Sequence, residues 1–139
     1  MIDITIQLKN INKFNNGCMV SHIGIEYTEL GVDYICGKMP VDKRTKQPLG
    51  LLHGGANVTL AETLGSMASN LYLDDKVEYA VGLDINANHL KSATSGYVYG
   101  KAKAVHIGKK THVWEIKITN EKNQLCCISR LTMAILQKK

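Results

Sequence analysis

The stretch His53-Gly54-Gly55-Ala56-Asn57-Val58-Thr59-Leu60-Ala61-Glu62-Thr63-Leu64-Gly65-Ser66-Met67-Ala68-Ser69-Asn70-Leu71-Tyr72 decides how this chain folds. Between Lys46 and Asp74 the one formally charged residue is Glu62. The run reads as a helix over residues 54–73 with apolar side chains nearly all round, the pattern of a helix at the centre of a core. A carboxylate is almost never fully buried unless something pairs with it or uses it. The paired glycines after His53 start the helix with backbone N–H groups that lack intrahelical acceptors. One acid and one set of bare donors, two helical turns apart, point to chemistry.

Outward from this helix the chain is rich in strands. The first dozen residues read as a short amphipathic helix, with Ile4, Leu8 and Ile11 at helical spacing, ending near Asn15-Asn16-Gly17. Residues 18–27 and 32–39 read as strands joined by a short hairpin link, and the polar residues 42–48 as a loop. Beyond Asp74-Asp75 the pattern turns to period two, giving strands over 79–88, 96–105, 111–119 and 125–136. In the third of these, His112, Trp114, Ile116 and Ile118 share one face while Glu115 and Lys117 share the other. Short links favour antiparallel pairing, and one sheet with a single apolar helix buries it by curling round it. The expected fold is therefore α+β, an antiparallel sheet wrapped around a central helix, in one domain spanning 1–139. A sheet with an uncovered edge makes oligomerisation an expectation too.

Bulk properties narrow the function. At 139 residues, 45% apolar and 21% charged, the chain is long enough for a core without disulfide or metal support. No basic, apolar leader is evident at the N-terminus, and residues 47–73 make a poor membrane span, so a cytoplasmic protein without membrane contact is expected. Cys18, Cys36, Cys126 and Cys127 show no C-x-x-C spacing and read as small buried hydrophobes in a reducing compartment; no metal is expected. The net charge of +5 includes a cluster at Lys101, Lys103, Lys109 and Lys110. With 6% aromatic residues and no nucleic-acid motif, a phosphorylated small molecule is a better partner than nucleic acid.

Gln47-Pro48-Leu49-Gly50-Leu51-Leu52-His53-Gly54-Gly55, followed in register by Leu60-Ala61-Glu62-Thr63-Leu64-Gly65-Ser66, resembles the hotdog-fold acyl-CoA thioesterases. The subgroup is the PaaI-like one, which includes 4-hydroxybenzoyl-CoA thioesterases with the acid on the helix and the 1,4-dihydroxy-2-naphthoyl-CoA hydrolases of menaquinone synthesis. The resemblance continues through residues 81–89, 106–109, 114–116 and 125–131, nearly the whole chain. It implies a helix wrapped by sheet, homodimers or homotetramers, and active sites at a subunit interface.

By resemblance, Glu62 is the general base on water, or the nucleophile that gives a mixed anhydride. Gly54 offers its N–H to the thioester carbonyl at a helix N-terminus. Gln47 and His53 match the polar pair near the thioester. Ser66, four residues after Glu62 on the same face, is a candidate for holding water or the acyl group, and Met67 for lining the acyl pocket. Gly82, His89-Leu90-Lys91-Ser92 and His106-Ile107-Gly108-Lys109-Lys110-Thr111 match segments that hold coenzyme A in relatives. Lysines stand at 109 and 110 where relatives often carry arginine, which weakens a bidentate phosphate grip. No cofactor is implied, since coenzyme A belongs to the substrate. The expected activity is hydrolysis of aromatic or bulky acyl-CoA thioesters. The alternatives are a proofreading thioesterase acting on a carrier protein and a non-catalytic acyl-CoA binder. Trp114 reads as sheet-face packing, and Arg130 as a cation in need of an acidic partner.

Overall fold

In the computed structural model, which describes residues 1–139, three helices, α1 (Leu8–Phe14), α2 (Met19–His22) and α3 (Gly54–Leu71), accompany six strands. The strands are β1 (Glu26–Leu30), β2 (Tyr34–Pro40), β3 (Glu78–His89), β4 (Tyr97–Ile107), β5 (Thr111–Thr119) and β6 (Leu125–Gln137). They form one antiparallel sheet in the order β1-β2-β4-β5-β6-β3, and α3 packs against β2 through β6. This is the hotdog arrangement expected from the sequence.

The core lies between α3 and the sheet. Leu60, Ala61, Leu64 and Ala68 recur at helical spacing on one face and are fully buried against Ile35, Val98, Ala102, Ile116 and Leu131. Burying each leucine contributes on the order of 2 kcal/mol. The helix comes close because a Cβ at Gly100 would stand 2.7 Å from Leu64 Cδ1, a space only glycine leaves open. The alternation in β5 holds: His112, Trp114, Ile116 and Ile118 are all buried, and the Trp114 Nε1–H donates to Ser69 Oγ at 2.7 Å. Trp114 is thus packing, as its face predicts.

The N-terminal third departs from the sequence reading. The helix covers only Leu8–Phe14, because Asp3 accepts from the Thr5 N–H and hydroxyl, and the Ile2 N–H donates to Val32 O. Such local side-chain bonds compete with helix. Residues 18–27 are not one strand. Gly17 and Gly24, at φ of +78° and +79°, bracket the single helical turn of α2, and β1 starts only at Glu26. Cys18 is consequently exposed and Cys36 half-buried, contrary to the expectation that all four thiols are buried. Cys126 and Cys127 are both buried although adjacent, since Cys126 is the extra residue between the pairs Ile118↔Cys127 and Thr119↔Leu125. Arg130 lies exposed on the outer face, opposite Asn86 and Glu115, and forms no ion pair.

Two sheet edges remain. β3 pairs with β6 alone, so its other edge has no strand partner and is met within the chain at Ala80, by the Asn70 side chain. No helix of the chain is long and apolar enough to cross a membrane.

Candidate active site

The N-terminal end of α3 is built by the turn before it. The Gln47 N–H donates to Leu51 O at 2.8 Å, the Gly50 N–H donates to Gln47 O at 3.0 Å, and Gln47 Oε1 accepts the Leu49 N–H. The carboxamide oxygen is thereby engaged, and its NH2 is left without an acceptor in the chain. His53 caps the helix, its Nδ1 accepting the Gly55 N–H at 2.8 Å, which requires that nitrogen to be unprotonated. The two glycines therefore differ. The Gly55 N–H is taken, whereas the Gly54 N–H donates to nothing in the chain.

The segment after β3 closes against this end. The Leu90 and Lys91 N–H groups both donate to Cys126 O, and the Leu52 N–H donates to Ala93 O at 2.8 Å. His89 Nε2 lies 2.9 Å from where a Cβ on Gly54 would stand. A cleft of about 330 Å³ results, lined by Gln47, Gly54, His89, Leu90, Lys91 and Ser92. Asn57 lines it as well, 4% exposed, with no partner for its buried Oδ1. The sequence reading missed Asn57. Its signal was available: it falls in register with Leu60, Ala61 and Leu64, a polar residue at a core position.

Glu62 lies eight residues beyond Gly54, about 12 Å along the helix axis. It is half-buried and opens on a different groove, of about 960 Å³, together with Ser66 and Met67. The carboxylate has no hydrogen bond or ion pair; the three ion pairs in the chain are Lys38–Glu26, Arg44–Asp42 and Lys117–Glu115. It rests over the bare backbone of Gly82, where any Cβ would overlap Oε1. Asn70, another residue the sequence reading passed over, fixes this contact. Its Oδ1 accepts the Ala80 N–H at 2.9 Å, and its Nδ2 donates to Ser66 O at 2.9 Å and to Ala80 O at 3.3 Å. The last turns of α3 are thereby tied to the first half of β3.

The third candidate segment, residues 106–111, forms the β4–β5 turn, closed by the Gly108 N–H donating to Thr111 O at 2.9 Å. His106 and Ile107 are exposed there, the His106 ring lying against Gly108. Gly108, Lys109 and Lys110 border a separate cleft of about 760 Å³ with Glu78 and Gln137. This turn sits beside Ile135, and His89 beside Cys127, eight residues apart along β6, roughly 26 Å. Within one chain the candidate residues thus fall into three places: donors at the start of α3, the carboxylate on its flank, and lysines at the β4–β5 turn.

The remaining titratable groups are poor rivals to Glu62. Burial pushes the thiols of Cys36, Cys126 and Cys127 up, away from the reactive thiolate. Burial lowers His112, which is 1% exposed, packs edge-on against Tyr72 and lies under the β4–β5 turn opposite Ile107, with its ring in the core rather than in a cleft. Both are structural groups.

The thioesterase superfamily pattern matches residues 49–127. The chain is 50% identical to a 1,4-dihydroxy-2-naphthoyl-CoA hydrolase of Escherichia coli, over 94% of this chain and 96% of that one. It is 46% identical to a proofreading thioesterase of Cronobacter turicensis, over 93% of each. The solved structure of a thioesterase from Haemophilus influenzae superposes with a TM-score of 0.93 at 47% identity, covering 98% of this chain and 94% of that one. A free carboxylate and one bare N–H at a helix start, on a hotdog fold, agree with these likenesses: this chain belongs to the thioesterase superfamily and is a thioester hydrolase.

Proposed function

We propose that this thioesterase hydrolyses acyl-CoA thioesters, with Glu62 of one subunit acting on a carbonyl held by Gly54 of another. The observation that carries the proposal is the Gly54 N–H, which starts α3 without an acceptor in its own chain. A free N–H at a helix N-terminus suits a developing oxyanion, and one such donor lowers a barrier by about 3 kcal/mol. Gln47 adds its free NH2 to the same carbonyl, and His53 holds the turn in shape through Gly55. Glu62 lies too far along the helix to serve this end of α3 in its own chain, so a second copy supplies it. The open edge of β3, beside Gly82, is the surface on which two sheets join, giving a homodimer or a pair of dimers.

In the general-base route, Glu62 takes a proton from water as the oxygen attacks the carbonyl carbon. The oxyanion forms on the carbonyl oxygen and is held by the Gly54 N–H, the C–S bond breaks as the carbonyl re-forms, and the proton passes from Glu62 to the leaving thiolate. In the nucleophilic route, a Glu62 oxygen attacks instead, the thiolate leaves, and water hydrolyses the anhydride. Ser66 lies where it can hold the water in either route, with Met67 against the acyl group. Gly82, the loop 89–92 and the turn 106–111 hold the coenzyme A portion, with Lys91, Lys109 and Lys110 facing its phosphates. No further cofactor is needed. The acyl group is aromatic or bulky, and likeness to the E. coli hydrolase makes 1,4-dihydroxy-2-naphthoyl-CoA the first candidate. The free thiols suit a reducing compartment, and we place the enzyme in the cytoplasm.

Coenzyme A release from a panel of aryl, short-chain and long-chain acyl-CoAs tests this. Glu62→Gln and Glu62→Ala are each expected to lose at least about a hundredfold in kcat; full activity in either would remove Glu62 from the chemistry. The 46% identity to a proofreading thioesterase supports a second reading, removal of aryl groups from a carrier protein. Kinetics on one acyl group carried by coenzyme A and by a carrier protein separate the two.

A further inference from the structure

We propose that the N-terminal segment, residues 6–20, is the acyl-specificity element of this enzyme, walling the groove that holds Glu62 and receiving the far end of the acyl group. This rests on hydrolysis at Glu62 as set out above. Ile6, Ile11, Phe14 and Val20 line the same groove as Glu62 and Ser66. The superfamily pattern begins at residue 49, so this wall comes from a part of the chain that the pattern does not include.

The wall is built before any ligand arrives. The Asn12 carboxamide donates to Tyr27 O at 2.9 Å and accepts the Tyr27 N–H at 2.8 Å, clamping α1 to β1. Ile11 is buried between them. Phe14, on the same helix, is 82% exposed, an aromatic ring that nothing in its own chain covers. An exposed phenylalanine on an anchored helix, facing a groove that contains the catalytic carboxylate, has an apolar ligand as its fitting partner.

Charge decides which end of the substrate enters. Glu62, Asp75 and Glu78 border the groove against Lys138 alone, so it disfavours phosphates, whereas Lys91, Lys109 and Lys110 lie at the other two clefts. The uncharged acyl group is the end left for the groove. At about 960 Å³ the groove stands at the upper limit for drug-sized ligands and far exceeds what an acetyl group fills.

The test compares kcat/KM for a bulky aryl-CoA and for acetyl-CoA in wild type, Phe14→Ala, Phe14→Leu and Ile6→Ala. Phe14 is exposed, so its truncation should leave thermal stability unchanged. The aryl-to-acetyl ratio is expected to fall about tenfold in Phe14→Ala and to recover partly in Phe14→Leu. A ratio equal to wild type in both Phe14→Ala and Ile6→Ala overturns the proposal. So does a change in sedimentation with no change in the ratio, which would assign Phe14 to a subunit contact. A wild-type enzyme that releases no coenzyme A from either substrate would instead overturn the functional assignment, and this proposal with it.

Discussion

The Glu62 carboxylate occupies the space that a side chain at Gly82 would need, so one hydrogen in place of a methyl sets where the acid stands. Two consecutive elements of the chain, the flank of α3 and the edge strand β3, meet at that point. Asn70 holds them there.

Gly82→Ala should therefore act as a catalytic mutation. Its Cβ meets Glu62 and no other residue, so the fold has no reason to suffer. We expect kcat to fall about a hundredfold, since small displacements of a reacting group carry costs of that size. Combined with Glu62→Ala, the loss should be no greater than for Glu62→Ala alone, as expected for two changes acting on one contact. Coenzyme A release by the two single variants and the double variant checks this.

Ser69→Ala should do the reverse, costing stability and sparing chemistry. The Ser69 hydroxyl accepts from the indole of Trp114 in a fully buried pair, and alanine would leave that N–H without a partner. The expected cost is about 1–3 kcal/mol, read as a lower urea midpoint at fixed protein concentration.

Asn57→Leu should stabilise the protein while lowering its activity. The Asn57 carboxamide is buried with its Oδ1 unpartnered, and leucine of similar size removes a desolvated polar group from a core position. A gain of about 1 kcal/mol is expected. The cleft shared with Gly54 and Gln47 would lose a polar wall, and KM for acyl-CoA should rise. Urea unfolding and steady-state kinetics on the same preparation show whether the two effects part.

Stability should decline on mild acidification because of His112. Burial lowers its pKa below the ordinary value of about 6.5. Below pH 6.5 the unfolded chain takes up a proton there while the folded one does not, so stability falls as pH drops towards the lowered folded value. Above pH 6.5 both states are neutral at this residue and the dependence disappears. His112→Phe, which keeps the ring contact with Tyr72, should flatten the decline in ΔG of unfolding between pH 6.5 and 5.

The fold was legible where periodicity was strong. The β5 alternation and the apolar run of α3 each report a burial pattern that the sheet satisfies, and both stand as expected. It was illegible where local bonds overrode pattern, as at Asp3–Thr5 and between the two positive-φ glycines flanking α2. The site shows the same division. Glu62 stood out as a lone charge in an uncharged run. Asn57 carried a weaker signal, a polar residue in register with the core leucines, and Asn70 carried none, because an asparagine in a helix looks alike whether it is solvated or clamping a strand. That Gly55 is capped and Gly54 is free depends on the orientation of the His53 ring, which no spacing encodes.

The distance between Gly54 and Glu62 along one rigid helix also has a genetic consequence. If each working site draws its donor from one copy and its acid from another, a gene damaged at Glu62 and a second damaged at Gln47 are not equally null in company. Products of the two alleles that pair with each other carry one site with both defects and one with neither. A cell holding both should hydrolyse thioester where a cell holding either alone does not.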